Sequence, residues 1–95
     1  MTITKRVTFI AKEDSIPKMK ELLTAMVKPS KAEDGCIFYD IFQYKNQREK
    51  FMAVETWRDE KALDGHKASE HYKIYKASYE EHCLKKYSDE LEVLG

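Results

Sequence analysis

Phe51-Met52-Ala53-Val54-Glu55-Thr56-Trp57, followed by Arg58-Asp59-Glu60-Lys61-Ala62-Leu63-Asp64-Gly65-His66-Lys67-Ala68-Ser69-Glu70-His71-Tyr72, is the stretch whose reading decides the fold. It begins as an apolar strand that ends in Glu55-Thr56-Trp57. A polar turn at Arg58-Asp59-Glu60 leads into a short helix reaching His66. A second helix opens with Ser69 as N-cap and Glu70 in its first turn, where a carboxylate suits the helix dipole. A carboxylate, an indole, two imidazoles and a phenol thus gather at one strand end and the helices after it.

Working outward, the segment before it is a polar hairpin loop, Asn46-Gln47-Arg48-Glu49, so Phe51–Trp57 pairs antiparallel with Cys36–Tyr44. That partner strand is apolar or aromatic on both faces, with Cys36, Phe38, Phe42 and Tyr44 on one and Ile37, Tyr39 and Ile41 on the other. A strand with two apolar faces is covered twice. The chain's own helices supply one cover, and a second copy of the chain is expected to supply the other, with Phe38, Phe42 and Leu91 as contributors.

Further upstream, Ile3–Ala11 alternates with period two and reads as a strand. Asp14 caps a helix that accepts Pro17 in its first turn and shows Ile16, Met19, Leu22, Leu23, Met26 and Val27 at helical spacing. Pro29 ends it, and Glu33-Asp34-Gly35 turns into the next strand. Downstream, Ser69 to about Lys86 reads as one helix carrying Tyr72, Tyr75, Tyr79, His82 and Cys83, and Ser88–Leu94 as a last strand. The order strand, helix, strand, strand, helices, strand predicts a ferredoxin-like α+β sandwich with an antiparallel sheet.

The 95 residues make one domain, 1–95, and a domain this small gains from a partner surface. Seventeen basic and seventeen acidic residues cancel without clustering, which argues against nucleic acid. No apolar run of membrane length occurs, and MTITKRVTF lacks a signal-peptide core. Cys36 and Cys83 read as reduced thiols, and the expected compartment is the cytoplasm.

The ordered set EDGCIFYDI and FMAVETWRDEKALDGHKASEHYK resembles the antibiotic biosynthesis monooxygenase domain, of the dimeric α+β barrel superfamily. The residues that carry the resemblance are Gly35, Cys36, Ile37, Tyr39, Glu55, Trp57 and His66, with His71 in the second histidine position. The resemblance implies a homodimer whose sheets meet face to face and a pocket between each sheet and its own helices. It implies one of several activities: cofactor-free oxygenation of quinols or anthrones, haem degradation, or isomerisation of a phosphorylated autoinducer. Haem degradation wants an Asn on the first strand, absent from Ile3–Ala11. Anthrone oxygenation wants an Asn four residues before the Trp, where Ala53 stands.

The expected function is therefore a cofactor-independent monooxygenase of a small quinol-like or aromatic substrate. His66 is the expected base, Glu55 its orienting group and His71 a further catalytic residue, with Trp57, Tyr72 and Tyr39 binding the substrate. Trp57 reads equally as core, the tyrosines more often as core or dimer packing than as site residues, and His66 equally as a capping residue bonded to Glu55. The spacing of five between His66 and His71 does not suit a helical zinc pair, so no metal is expected. Arg6 is expected to pair with Asp40. An isomerase of a small phosphorylated carbonyl compound, with Lys67 or Lys73 meeting the phosphate, and a non-catalytic dimeric binding protein are the alternatives.

Overall fold

The computed structural model describes residues Met1–Gly95. Four strands, β1 (Ile3–Ala11), β2 (Cys36–Gln43), β3 (Lys50–Trp57) and β4 (Cys83–Leu91), form one antiparallel sheet in the order β2-β3-β1-β4. Helices α1 (Ile16–Thr24), α2 (Val27–Lys31), α3 (Glu60–Lys67) and α4 (Glu70–Ser78) complete the fold. This is the ferredoxin-like α+β arrangement, with split βαβ connectivity.

Alternation decides which side chains meet the helices. On β1, Val7, Phe9 and Ala11 are buried, and on β3 so are Phe51, Ala53, Glu55 and Trp57. Opposed residues of an antiparallel pair share a face. The pairs Lys5–Glu55, Tyr39–Glu55 and Phe9–Lys86 therefore place all these side chains under the helices. Met19, Leu23 and Met26 from the α1–α2 segment, Leu63 from α3 and Tyr75 from α4 close the core from above.

The opposite face is open. Phe38, Phe42, Tyr87 and Leu91 lie on it and are 41–46% exposed. Cys36 does not share the face of Phe38, because an extra residue in β2 at Ile37 shifts the register so that Cys36 opposes Trp57 and Phe38 opposes Thr56. Such a bulge flips the alternation that a simple period-two count assumes.

Three boundaries differ from the sequence reading. Pro29 lies inside α2 rather than ending a helix, in a first turn whose N–H groups have no intrahelical partner. The long helix from Ser69 stops at Ser78, and the last strand runs over Cys83–Leu91 rather than Ser88–Leu94. The cause is β1, whose edge pairs with β4 from Thr4 to Ala11, so the ladder claims residues that helical spacing would have kept. Arg6 bonds Asp89 on that neighbouring strand at 2.7 Å, and Asp40 meets Lys31 instead.

Gly35 is a point of close approach. A Cβ there would overlap the Ala62 methyl of α3, and the Gly35 carbonyl accepts from Arg58 N–H at 2.8 Å. Gly65, inside α3, faces open space. Gly35→Ala is expected to cost about 1–3 kcal/mol through overpacking. Gly65→Ala is expected to stabilise by up to about 1 kcal/mol through helix propensity. Urea denaturation of the two variants checks both signs.

Candidate active site

Glu55 enters the site from β3 as a helix-facing residue, 7% exposed. A buried carboxylate is tolerated only with donors, and Trp57 supplies one, its Nε1–H donating to Glu55 Oε1 at 2.9 Å. Trp57 itself is fully buried and its ring lies 4.4 Å from the His66 imidazole, tilted by 34°. The indole thus forms the back wall of the histidine and does not line the cavity. Its expected role as a stacking surface for substrate gives way to that of a support for His66 and Glu55.

His66 is set by α3. Asp59 caps that helix by accepting from Ala62 N–H at 2.8 Å, and the buried stripe Leu63–His66 follows at i, i+3 spacing. Ser69 then joins α3 to α4. Its hydroxyl donates to the His66 carbonyl at 2.6 Å and accepts from Tyr72 N–H at 3.3 Å, capping α4.

The partner of His66 is Glu33, not Glu55. His66 Nδ1 lies 2.7 Å from Glu33 Oε2, and His71 Nε2 lies 2.8 Å from the same oxygen. An ionised carboxylate only accepts, so both ring nitrogens act as donors toward it. In the neutral ring this assigns the proton to Nδ1 of His66 and leaves Nε2 with a free lone pair. Glu33 belongs to the loop between α2 and β2, which is clasped by Glu33 N–H to Ser30 O, Cys36 N–H to Glu33 O and an Arg58–Asp34 ion pair at 3.2 Å. The docking of Gly35 on Ala62 carries this loop against α3.

The same three residues are the only cluster of metal-ligating types, with donor atoms within 4.8 Å of one another. Helical spacing considered the two histidines alone and missed the carboxylate. Around a tetrahedral zinc with bonds of about 2.0–2.1 Å, donor atoms sit about 3.3 Å apart. The contacts from Glu33 Oε2 are shorter and of hydrogen-bond length.

Beneath the helices lies a cavity of about 70 Å³. His66, Glu55, Tyr39 and Tyr72 all line it, together with Lys5 and Lys86. Tyr39 and Tyr72 flank the imidazole at centroid distances of 5.7 and 5.2 Å. Burial, then the Glu55 charge, pushes the Tyr39 phenol well above its ordinary range, and the Tyr72 phenol upward for the same reasons. His71 does not reach this cavity. It lines a separate groove with Leu22, Met26 and Ile74, and touches the site only through Glu33. Sequence reasoning missed Glu33, Lys5 and Lys86. The first looked like a turn residue, the second an ordinary strand lysine, and the third sat in a misplaced helix.

Known proteins share this fold. The crystal structure of PA3566 from Pseudomonas aeruginosa superimposes with a TM-score of 0.94 at 31% identity, covering 99% of this chain and 95% of that one. The structure of Rv0793 from Mycobacterium tuberculosis gives 0.93 at 29% identity, covering 100% and 97%. In sequence, "Putative monooxygenase Rv0793" is 38% identical over 69 residues, 73% of this chain and 67% of the relative. "Putative monooxygenase YcnE" of Bacillus subtilis is 31% identical over 67 residues, 67% and 70%. The fold and its relatives define an oxidoreductase of the monooxygenase class. The chain belongs to the antibiotic biosynthesis monooxygenase family, which it matches over residues 2–78.

Tyr75, like Tyr39, is held neutral by burial, its phenol raised well above the ordinary value. A raised folded pKa keeps its stabilisation below the unfolded value and loses it as pH climbs toward the folded one. Stability is therefore expected to fall as pH rises above about 10, the ordinary phenol pKa. Each such tyrosine contributes up to about 1.4 kcal/mol per pH unit. Tyr75→Phe should flatten that alkaline slope in urea titrations between about pH 10 and 12.

Proposed function

We propose that this protein is a cofactor-independent monooxygenase acting on a small quinol-like or other aromatic substrate, with His66 as the base. The single observation that carries this reading is a buried imidazole whose Nδ1 is tied to Glu33 while the ring lines a cavity walled mostly by apolar and aromatic side chains. A carboxylate on one ring nitrogen fixes orientation and stabilises the imidazolium formed when the other nitrogen takes a proton.

The chemistry balances with the groups present. His66 Nε2 removes a phenolic proton, and the resulting anion passes one electron to dioxygen. The radical pair joins through a ring carbon–oxygen bond, His66 returns its proton to the distal oxygen, and loss of water leaves a hydroxyquinone. Overall one quinol and one dioxygen give one hydroxyquinone and one water. The protein contributes the base, the phenolic walls Tyr39 and Tyr72, and exclusion of water. Glu55, Trp57 and His71 act as positioning residues, the first two behind and beside the imidazole and the third through Glu33.

Cofactor independence is supported by a sequence with no glycine-rich nucleotide motif.

We also infer a homodimer through the open sheet face, where Phe38, Phe42, Tyr87 and Leu91 form the unpartnered apolar surface. No helix is long and apolar enough to cross a membrane. Two free thiols suit the proposed cytoplasmic location.

An oxygen electrode with a panel of small quinols tests the reaction. His66→Ala is expected to lower kcat by about 100-fold or more. Glu33→Gln should lower it less, with KM little changed. Oxygen uptake that survives His66→Ala intact removes His66 from the mechanism. Light scattering at micromolar concentration should give twice the chain mass of 11.2 kDa, and Phe42→Lys should shift it toward the monomer.

A further inference from the structure

Lys86 occupies an unusual place for an ammonium group. It extends from the edge strand β4 beneath the helices, directly opposite Phe9 on β1. Its Nζ sits 4.6 Å from the Tyr79 ring centre, 5.4 Å from Tyr75 and 5.7 Å from Phe9. Three ring faces thus replace much of its water, and cation–π attraction holds the charge at the cavity wall. Burial lowers its proton affinity, with the neighbouring Lys76 charge acting in the same direction.

Glu55 is the one carboxylate at the cavity that offsets this charge, and it does so from beyond ion-pair distance. Lys86, Lys5 and Lys67 all line the cavity, and none of them forms an ion pair. That single carboxylate, which also accepts from the Trp57 indole, faces three lysines, so the lining carries an excess of positive charge. A partly desolvated cation with no close counter-ion is costly, and an anion brought by a ligand lowers that cost. An ordinary half-buried lysine would run its stem over the rings and carry its head to solvent. This one lines an interior cavity beside a second unpaired lysine.

We infer that the cavity takes an aromatic substrate bearing an anionic oxygen substituent such as a carboxylate, and that Lys86, seconded by Lys5, is the residue that selects it. This rests on the proposed monooxygenase for the identity of the reaction, but not for the binding preference. The phenol to be deprotonated faces His66, and the anionic group lies toward Lys86 on β4.

Two measurements separate the claims. Calorimetric titration compares 4-hydroxybenzoate with its neutral analogue 4-hydroxybenzyl alcohol, neither of which has to turn over. The carboxylate should bind at least tenfold more tightly, and Lys86→Met should erase that preference while the neighbouring Lys76→Met keeps it. In oxygen uptake, the ratio of kcat/KM for 2,5-dihydroxybenzoate over hydroquinone should fall at least tenfold in Lys86→Met. Equal affinity for the two analogues, or a preference that survives Lys86→Met, overturns the inference. Circular dichroism of Lys86→Met confirms that the variant compared is folded. A carboxylate preference without any oxygen uptake upholds the anion site and sinks the monooxygenase.

Discussion

One carboxylate oxygen, Glu33 Oε2, holds the site together. It accepts from a buried imidazole on α3 and from a half-buried imidazole on α4, and it arrives on a loop from the other half of the chain. Remove it and His66 keeps its stacking on Trp57 but loses the contact that decides which nitrogen carries the proton. A hydrogen bond of this kind, with one partner ionised, is about twice as strong as a neutral one. It also couples three elements whose direct packing is modest, since α3 and α4 are short and amphipathic. Fold and chemistry therefore share a single joint.

Around that joint the sheet does the sorting. Its helix-facing side carries Tyr39, Glu55, Trp57, Lys5 and Lys86 among aliphatic and aromatic neighbours, while its other side carries Phe38, Phe42, Tyr87 and Leu91. The first set makes an interior with a few polar groups, each demanding a partner. The second makes a surface proposed to meet its own copy. Polar groups on the first face find partners or rings: Glu55 has the Trp57 indole, and Lys86 has three aromatic faces.

Much of this was legible in the chain. Period-two alternation in Ile3–Ala11 and the apolar run from Phe51 to Trp57 placed β1 and β3 as strands, because both are regular. The resemblance carried by Gly35, Glu55, Trp57 and His66 pointed to the family. Gly35 turns out to serve the approach of its loop to Ala62, and that loop delivers Glu33. What escaped were long-range facts. Nothing local distinguishes Glu33 from any turn acid, since its meaning comes from partners 33 and 38 residues away. Helical tyrosine spacing ran on past Ser78 because periodicity cannot see the edge of β1 that β4 must satisfy. The bulge at Ile37 likewise reversed the side of Cys36. Trp57 and His71 were placed in the pocket from their residue types, whereas packing put one behind the base and the other beyond Glu33.

The central claim is that Glu33 fixes the His66 tautomer and so frees Nε2 toward the cavity. The most direct measurement is nitrogen NMR of the histidine side chains at neutral pH, with His66→Gln used to assign the ring. The account predicts that His66 Nδ1 carries the proton and that Glu33→Gln disturbs this pattern in His66 and His71 together. A His66 ring protonated at Nε2 in the resting protein, unmoved by Glu33→Gln, would contradict it.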